Sequence, residues 1–383
     1  MRIYAIVGII SCILPALVGC NEQPSRDTAS QQIQEGMSVD TVTLSVTDTI
    51  GVFYGDTTLE FGSLNRVRTS EQGTIYAMDG RKSTLKIFSS GGELLRTVGR
   101  SGSGPGEFQY PTGFVLLRDG GLLVSDFGGN ALNFFDSTYA FDYQIPGFFP
   151  VAPVEPVNGP GNSFIAGAID YHQDDTGLHG TSFLGRYSGE GMDPELIYRS
   201  YPLTITVRDE QNVDVDNVDC VWDSDLDGAV YLAVRSDSTY CVERFDENAN
   251  STVIVKREWE RIPKTEEEMA EGMLNEGISR HDDGSTTVRR EETEDIDPYH
   301  LAIETINTDD DGNVWVGQGY TGIPTFEVYD KSGELLKIVT IPELEGVRGL
   351  RFCFRNGMLA YDYAPVDYPK IYLLDYTSNQ QTR

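Results

Sequence analysis

Apolar and polar residues alternate in short runs along most of this chain, and glycine, asparagine or aspartate sits where many of these runs end. A period of two turns one strand face toward a core and the other toward a neighbour or solvent, so these runs read as β-strands. Between Leu64 and Val98 the pattern predicts strands at Leu64–Thr69, Thr74–Met78, Leu85–Ser89 and Leu94–Val98, with Glu71-Gln72-Gly73 as a turn. The runs Gly113–Leu117, Leu122–Ser125, Ala131–Phe135 and Phe141–Ile145 repeat that order around an Asp119-Gly120 turn. Individual residues repeat as well. Phe61, Gly73, Asp79, Leu85 and Phe88 return as Phe108, Gly120, Asp126, Leu132 and Phe135 at one constant offset, about 47 residues.

Units of about 40 to 50 residues that hold roughly four short strands each are the blades of a β-propeller. Looser copies follow the first two. Asn162–Gly167 and Ser182–Tyr187 suggest a third blade, interrupted by a polar loop carrying His172 and His179. Val218–Trp222, Val230–Val234 and Tyr240–Asp246 suggest a fourth, with its turn at Asp227-Gly228. Ala302–Ile306, Val314–Val316, Phe326–Asp330 and Leu335–Val339 suggest a fifth, and Gly349–Phe354, Met358–Tyr361 and Ile371–Tyr376 a sixth.

The sixth unit stops one strand early, whereas Val39–Val46 alternates ahead of the first unit and has no partner. Donating that strand to the last blade would close the ring and cover two exposed edges. The segment 263–297 breaks the pattern. Thr265 and Glu268 have capping-box spacing, Met269, Met273 and Leu274 share a helical face, and Asp282-Asp283-Gly284 suggests a hairpin. The predicted fold class is all-β: a six-bladed β-propeller whose N-terminal strand closes the last blade, with a short helical insertion.

The connector between the first two units is the most specific stretch. Gly99-Arg100-Ser101-Gly102-Ser103-Gly104-Pro105-Gly106 is followed by Glu107-Phe108, by Pro111-Thr112-Gly113, and by Asp119-Gly120 before an apolar strand ending in Asp126. This arrangement resembles the NHL-repeat group of six-bladed propellers, most closely from Phe61 to Ile145. No Gly-Lys-Ser or Gly-Lys-Thr occurs and a strand rather than a helix comes next, so the glycines read as a blade connector and not as a phosphate cradle. Asp79 and Asp126 read as structural, ending a strand and holding the next turn.

Sixty acidic against 29 basic side chains give a formal charge of -31, which excludes nucleic acid as a partner class because phosphate binding needs a basic footprint. At the start, Met1-Arg2 precede an apolar stretch from Ile3 to Leu14, and Leu17-Val18-Gly19-Cys20 leads into polar residues from Asn21. This resembles a bacterial lipoprotein signal peptide, which implies cleavage before Cys20 and lipidation of its thiol. The apolar stretch falls short of the roughly 20 residues a spanning helix needs. Residues 1–19 are therefore expected to be a signal peptide, 20–38 a flexible tether and 39–383 the propeller. The expected location is the cell envelope, with attachment to the membrane through the lipid. Asn21 after the cysteine implies, by the same resemblance, the outer membrane facing the periplasm or the cell surface. Of the remaining thiols, Cys220 and Cys241 fall on the first and third strands of one blade. That places them about two strand spacings of 4.8 Å apart, too far for a disulfide in that register, while another register in an oxidising export compartment leaves their pairing open.

Candidate chemistry is sparse. Asp223, Asp225 and Asp227 precede Gly228, and Asn307, Asp309 and Asp311 precede Gly312, in loops whose alternating oxygens suit calcium. Their twelfth positions are Val234 and Gln318 rather than Glu, and inner hairpins call for the same turn residues, so calcium and a plain turn both remain open at this point. His172, His179, His281 and His300 lack a His-Glu-x-x-His context. Of these only His300, ahead of the fifth blade, is expected to reach the central channel.

Propeller enzymes resembling lactonases or lyases set Glu, Asn, Asp or His around that channel. Comparable positions here hold Asn65, Arg66, Asp219, His300, Glu304 and Arg348. The mixture suits a polar or anionic ligand and reproduces no catalytic motif. The expected function is an extracytoplasmic, lipid-anchored binding or scaffolding module for a protein, a peptide or a small polar ligand. The alternative is a metal-dependent propeller hydrolase or lyase, lactonase-like.

Overall fold

Gly73, Gly120, Gly228 and Gly312 take left-handed φ values of 77°, 86°, 88° and 77°. A Cβ disfavours that region, so the inner hairpins reverse where glycine permits it. The structure, a computed structural model, describes residues 39–148, 152–174, 177–207, 213–266, 268–269, 274–280, 286–292, 297–319, 322–347, 349–363, 365 and 368–377.

The first blade consists of Leu64–Thr69, Ile75–Asp79, Thr84–Phe88 and Leu94–Val98, paired antiparallel in that order. The second has Pro111–Leu116, Leu122–Asp126, Ala131–Phe135 and Phe141–Pro146. Val154–Asn158, Phe164–Asp174, Gly177–Tyr187 and Leu196–Val207 build the third, with Val213–Asp216 added at its outer edge. Cys220–Ser224, Val230–Val234, Thr239–Phe245 and Ser251–Glu258 build the fourth. Thr305–Thr308, Val314–Gly317, Thr325–Tyr329 and Leu335–Thr340 make the fifth. Leu350–Cys353, Met358–Asp362 and Ile371–Tyr376 make three strands of the sixth. The first strand of each blade touches the first strand of the next, from Leu64–Thr69 round to Leu350–Cys353 and back again. This closes a ring of six blades around a central channel.

The missing strand of blade six is Asp40–Ile50. Leu44 to Ile50 pair antiparallel with Ile371–Tyr376, while Asp40 to Thr43 pair parallel with Lys337 to Thr340 of blade five. One strand therefore closes blade six and also ties it to blade five. It runs further than the expected Val39–Val46 because its pairing continues through Asp48 and Thr49 after a bulge, although the apolar alternation stops at Val46.

No single core fills this fold. The buried apolar residues form six layers, each shared by two neighbouring blades. Leu44 lies between blades five and six and Ile50 between blades six and one, so the closing strand contributes to the layer on each side of blade six. Asp79 and Asp126, 0% and 2% exposed, act in parallel ways. Asp79 accepts from the backbone N–H groups of Gly62 (2.8 Å) and Ser63 (3.1 Å), and Asp126 from those of Gln109 (2.9 Å) and Tyr110 (2.7 Å). Each carboxylate fixes the chain as it enters the first strand of its own blade.

Three expectations change. Blade three begins with Val154–Asn158, which carries too little alternation to be read as a strand. His172 and His179 sit opposite each other on its long hairpin rather than on a loop, with rings stacked 5.3 Å apart, because strand pairing persists through those polar residues. In the insertion, Glu266, Glu268 and Met269 are helical, but Leu274, expected on the same helical face, opens the strand Leu274–Arg280 that pairs with Thr286–Glu292. Met273, His281 and Asp282-Asp283-Gly284 lie outside the described residues. The capping box forms: the Thr265 N–H donates to Glu268 Oε2 at 2.7 Å, and the Glu268 N–H donates to Thr265 Oγ1 at 3.2 Å. Cys220, Cys241 and Cys353 are free thiols.

Leu44 is fully buried, so Leu44→Ala should cost about 2–5 kcal/mol of unfolding free energy. Thr49→Ala, at an exposed position of the same strand, should stay within about 0.5 kcal/mol of the parent. Urea unfolding followed by tryptophan fluorescence measures both, and equal effects would show that the closing strand is not a packed element of the ring.

Candidate functional site

Where the six inner strands begin, the channel widens into a cavity of about 500 Å³. Blade one supplies Arg66 and Arg68, blade three Glu155 and Arg199, blade four Asp219 and Arg235, and blade six Arg351; Glu304 enters just ahead of blade five. In so acidic a chain this gathering of arginines needs a physical account. Most of them are paired. Arg351 Nη2 lies 2.9 Å from Glu155 Oε1, and Arg235 Nη1 lies 3.0 Å from Asp219 Oδ2. Arg235 also pairs with Glu304, and Arg199 pairs with Glu243.

Arg66 and Arg68 differ, since among the described residues neither lies within ion-pair distance of a carboxylate, although for Arg68 the lowering effect of burial is outweighed by Cys353 and Asp223, which hold its pKa above the ordinary value. Arg66 is only 7% exposed. Its Nη2 donates to the Pro156 carbonyl at 3.1 Å, and its Nε has no acceptor among the described residues. Burial, reinforced by the charge on Arg68, pulls its pKa down to about 10. The side chain therefore remains a cation at neutral pH while lacking the ionic partner that buried charges normally have.

Glu155 reaches the cavity through strained backbone. It adopts a positive φ of 49° where the pairing of Val154–Asn158 with the next strand shifts register between Val154 and Val157. A non-glycine residue held in that region costs about 1–3 kcal/mol and persists only where its surroundings enforce it. Burial works to raise the Glu155 pKa, but Arg351 and Arg66 outweigh it and the carboxyl ends below its ordinary value. Glu155 is thus an ionised counter-charge, unsuited to donating a proton near neutrality.

A second cavity of about 750 Å³ lies at the hairpin end of the channel, and Arg68 and Asn307 line both. These two residues form the waist. Beyond it Arg355 of blade six crosses to the Ser224 carbonyl of blade four and the Thr308 hydroxyl of blade five.

Of the residues singled out from sequence, Arg66, Asp219 and Glu304 line the first cavity together. Asn65 instead joins two blades, its Nδ2 donating to the Pro111 carbonyl at 2.9 Å. His300 does not line this cavity and braces the insertion, with Nε2 3.3 Å from Glu268 Oε2 and its backbone N–H donating to Ile262. Arg348 and Cys20 lie outside the described residues.

Five of the six candidate calcium ligands, all but Asp311, have side chains bonded within the protein. Asp223 Oδ2 accepts from the Thr308 N–H (2.9 Å) and hydroxyl (3.1 Å), while Asp225 accepts from the Ala229 N–H (2.9 Å) and the Tyr231 hydroxyl (3.1 Å). Asp227 pairs with Lys331 at 2.5 Å. Asp309 accepts from the N–H groups of Asp311 and Asn313, from the Asn313 amide and from the Trp315 indole, and Asn307 donates to the Thr305 hydroxyl. These bonds hold the hairpins and bring no converging oxygen set to one point. Among the described residues no group of three or more His, Cys, Asp and Glu side chains is placed to hold a metal.

Sequence reasoning missed Arg68, Glu155, Arg199, Arg235 and Arg351. Arg66-Val67-Arg68 did carry a signal, two cations at period two on an inner strand. Glu155 carried none, because only the bulge aims it at the channel.

Residues 56–170 match a protein family described as a 6-bladed beta-propeller. The chain is a six-bladed β-propeller. No curated protein matches it. Among solved structures, a Bacteroides fragilis protein is 11% identical, with 88% of this chain and 99% of that one covered and a TM-score of 0.49. A regucalcin, a calcium-binding protein from Agrobacterium tumefaciens, is 9% identical over 88% and 96% of the two chains, with a TM-score of 0.47. Virginiamycin B lyase from Staphylococcus aureus is 13% identical over 86% and 98%, with a TM-score of 0.43. Likeness at this level carries no argument about the propeller's ligand or reaction.

His300 generates a prediction about pH. Burial, partly offset by Glu268, holds its pKa below the ordinary histidine value, so the unfolded chain binds the proton more readily than the folded one. Stability from this group is complete above about pH 6.5 and falls as acidification passes through that value. Melting temperatures between pH 7.5 and 5.5 should decline less steeply in His300→Gln than in the parent. Identical slopes would show that the buried imidazole does not contribute.

Proposed function

We propose that this protein is a lipid-anchored, extracytoplasmic binding module that holds a small anionic molecule in its central cavity. The observation that carries the reading is Arg66, buried beside Arg68 with no carboxylate partner among the described residues, in a chain whose formal charge is -31. Charge-assisted bonds from guanidinium groups to a carboxylate or phosphate oxygen are among the stronger polar contacts available to a protein. A bound anion would supply the counter-charge that the fold withholds. Glu155, Asp219 and Glu304 are already engaged by Arg351 and Arg235, which leaves the blade-one pair to receive the ligand. The anchored state is supported by the apolar leader and the Leu17-Val18-Gly19-Cys20 sequence.

Titration calorimetry with a panel of small carboxylates and phosphates tests the binding. Arg66→Gln combined with Arg68→Gln should weaken the best ligand by about a hundredfold or more, each lost charge-assisted bond being worth about 1.5–3 kcal/mol. Unchanged affinity in a folded double variant would remove the reading. Protein stripped with EDTA should bind equally well. If calcium were needed to restore binding, and a lactone or ester were turned over, the hydrolase or lyase reading would replace this one. Labelling of cells with an alkyne fatty acid should tag the protein, and Cys20→Ser should abolish the tag.

A further inference from the structure

The same cavity says more about its occupant than the sign of its charge. Its wall is largely apolar, with Ala152, Val154, Ile169, Leu184, Trp222 and Phe352 among the lining residues. The Trp222 ring lies directly against Gly167 across the gap between blades three and four, where an added Cβ would come within 2.9 Å of it. At the mouth, the Arg351 guanidinium stacks on the Tyr363 ring at 3.9 Å. Cavities of this size with a mainly apolar wall and a few convergent polar groups suit a compact, drug-sized molecule.

The polar groups are not evenly matched. Four atoms of the wall are buried without a partner among the described residues: Arg66 Nε, Arg199 Nε, Arg235 Nε and Trp222 Nε1. All four are N–H donors, so the fully buried part of the wall is short of acceptors. Charge is nearly balanced as well. Arg199, Arg235 and Arg351 are ion-paired with Glu243, with Asp219 and Glu304, and with Glu155, and Asp223 acts on Arg68 from beyond the waist, which leaves Arg66 as the arginine with no carboxylate of its own. A monoanion neutralises that site, whereas a phosphate dianion would overcharge it beside Glu155.

Resting on the anion-binding reading above, we propose that the ligand is an amphipathic monocarboxylate. Its carboxylate meets Arg66 and Arg68 at the waist, and its aryl or alkyl body lies along Trp222, Leu184 and Phe352. A sugar acid is disfavoured because most of its hydroxyls would be set against an apolar wall. Inorganic phosphate satisfies the donors but leaves the apolar wall uncovered.

Calorimetry on the full-length mature protein, with 3-phenylpropionate, octanoate, gluconate and inorganic phosphate as probes and 3-phenylpropanamide as the uncharged control, tests this. The two apolar acids are expected to bind at least about tenfold more tightly than gluconate, phosphate and the amide. Arg66→Gln should lower affinity for 3-phenylpropionate by about tenfold while leaving the amide unchanged. Trp222→Leu should weaken 3-phenylpropionate and leave phosphate where it was. Gluconate or phosphate binding as tightly as the apolar acids would overturn the monocarboxylate assignment while the anion site stood. Equal binding of acid and amide, or no binding by any probe, would overturn the anion site and this assignment with it.

Discussion

A ring assembled from separate sheets holds only if its first and last sheets are joined, and here one strand makes that joint. Asp40–Ile50 runs parallel to the outer strand of blade five over its first residues and antiparallel to Ile371–Tyr376 over the remainder. The contact links the two ends of the chain: the hydroxyls of Ser45 and Thr377, 332 residues apart in sequence, lie 2.9 Å from each other. Loop-closure entropy rises only slowly with length, so the packing of Leu44 and Ile50 into the layers on either side of blade six can offset it. Strand addition also covers backbone groups that would otherwise stand ready to pair with another chain.

Closure is what makes the cavity. Six inner strands that begin on one face converge their first residues, and polar side chains far apart in sequence become neighbours. Arg66 of blade one reaches the Pro156 carbonyl of blade three, and Arg351 of blade six reaches Glu155 of blade three. Neither contact crosses a single blade-to-blade interface, so both depend on the whole ring. The strained Glu155 backbone follows the same logic: its bulge is tolerated because Arg351 and the neighbouring blades hold the carboxylate in place.

The acidic residues divide into two populations by what they bond. Asp136, Asp246 and Asp330 sit in the outer hairpins and accept from backbone N–H groups two and four residues ahead. Side-chain hydrogen bonds first, from Thr138, Asn250 and Ser332, together with those backbone groups, hold all three below the usual carboxylate range. Asp309 accepts from backbone N–H groups two and four residues ahead on an inner hairpin. Glu327, fully buried between blades four and five, takes the hydroxyls of Tyr240 and Tyr329, the Arg257 guanidinium and the Gln318 amide. Carboxylates at alternate positions thus resemble a cation loop in sequence while the folded chain spends them on its own donors.

Short alternating runs, glycines at the reversals and a constant offset between blades one and two were enough to read the class of fold, the tally of blades and the identity of the closing strand. All of these follow from local rules, namely side-chain periodicity, the left-handed φ of turn glycines and the unpaired edge of the last blade. Val154–Asn158 escaped because a bulged strand containing Pro156 has no clean alternation. The site was legible only in part. Arg66, Asp219 and Glu304 could be placed at inner-strand positions, but which of them meet, and that Asn65 and His300 serve as braces, depended on rotations between blades that no local pattern encodes. That Arg66 is left without a carboxylate of its own was decided by tertiary structure alone, because the pairing of the other arginines depends on side chains contributed by five blades and brought together only when the ring closes.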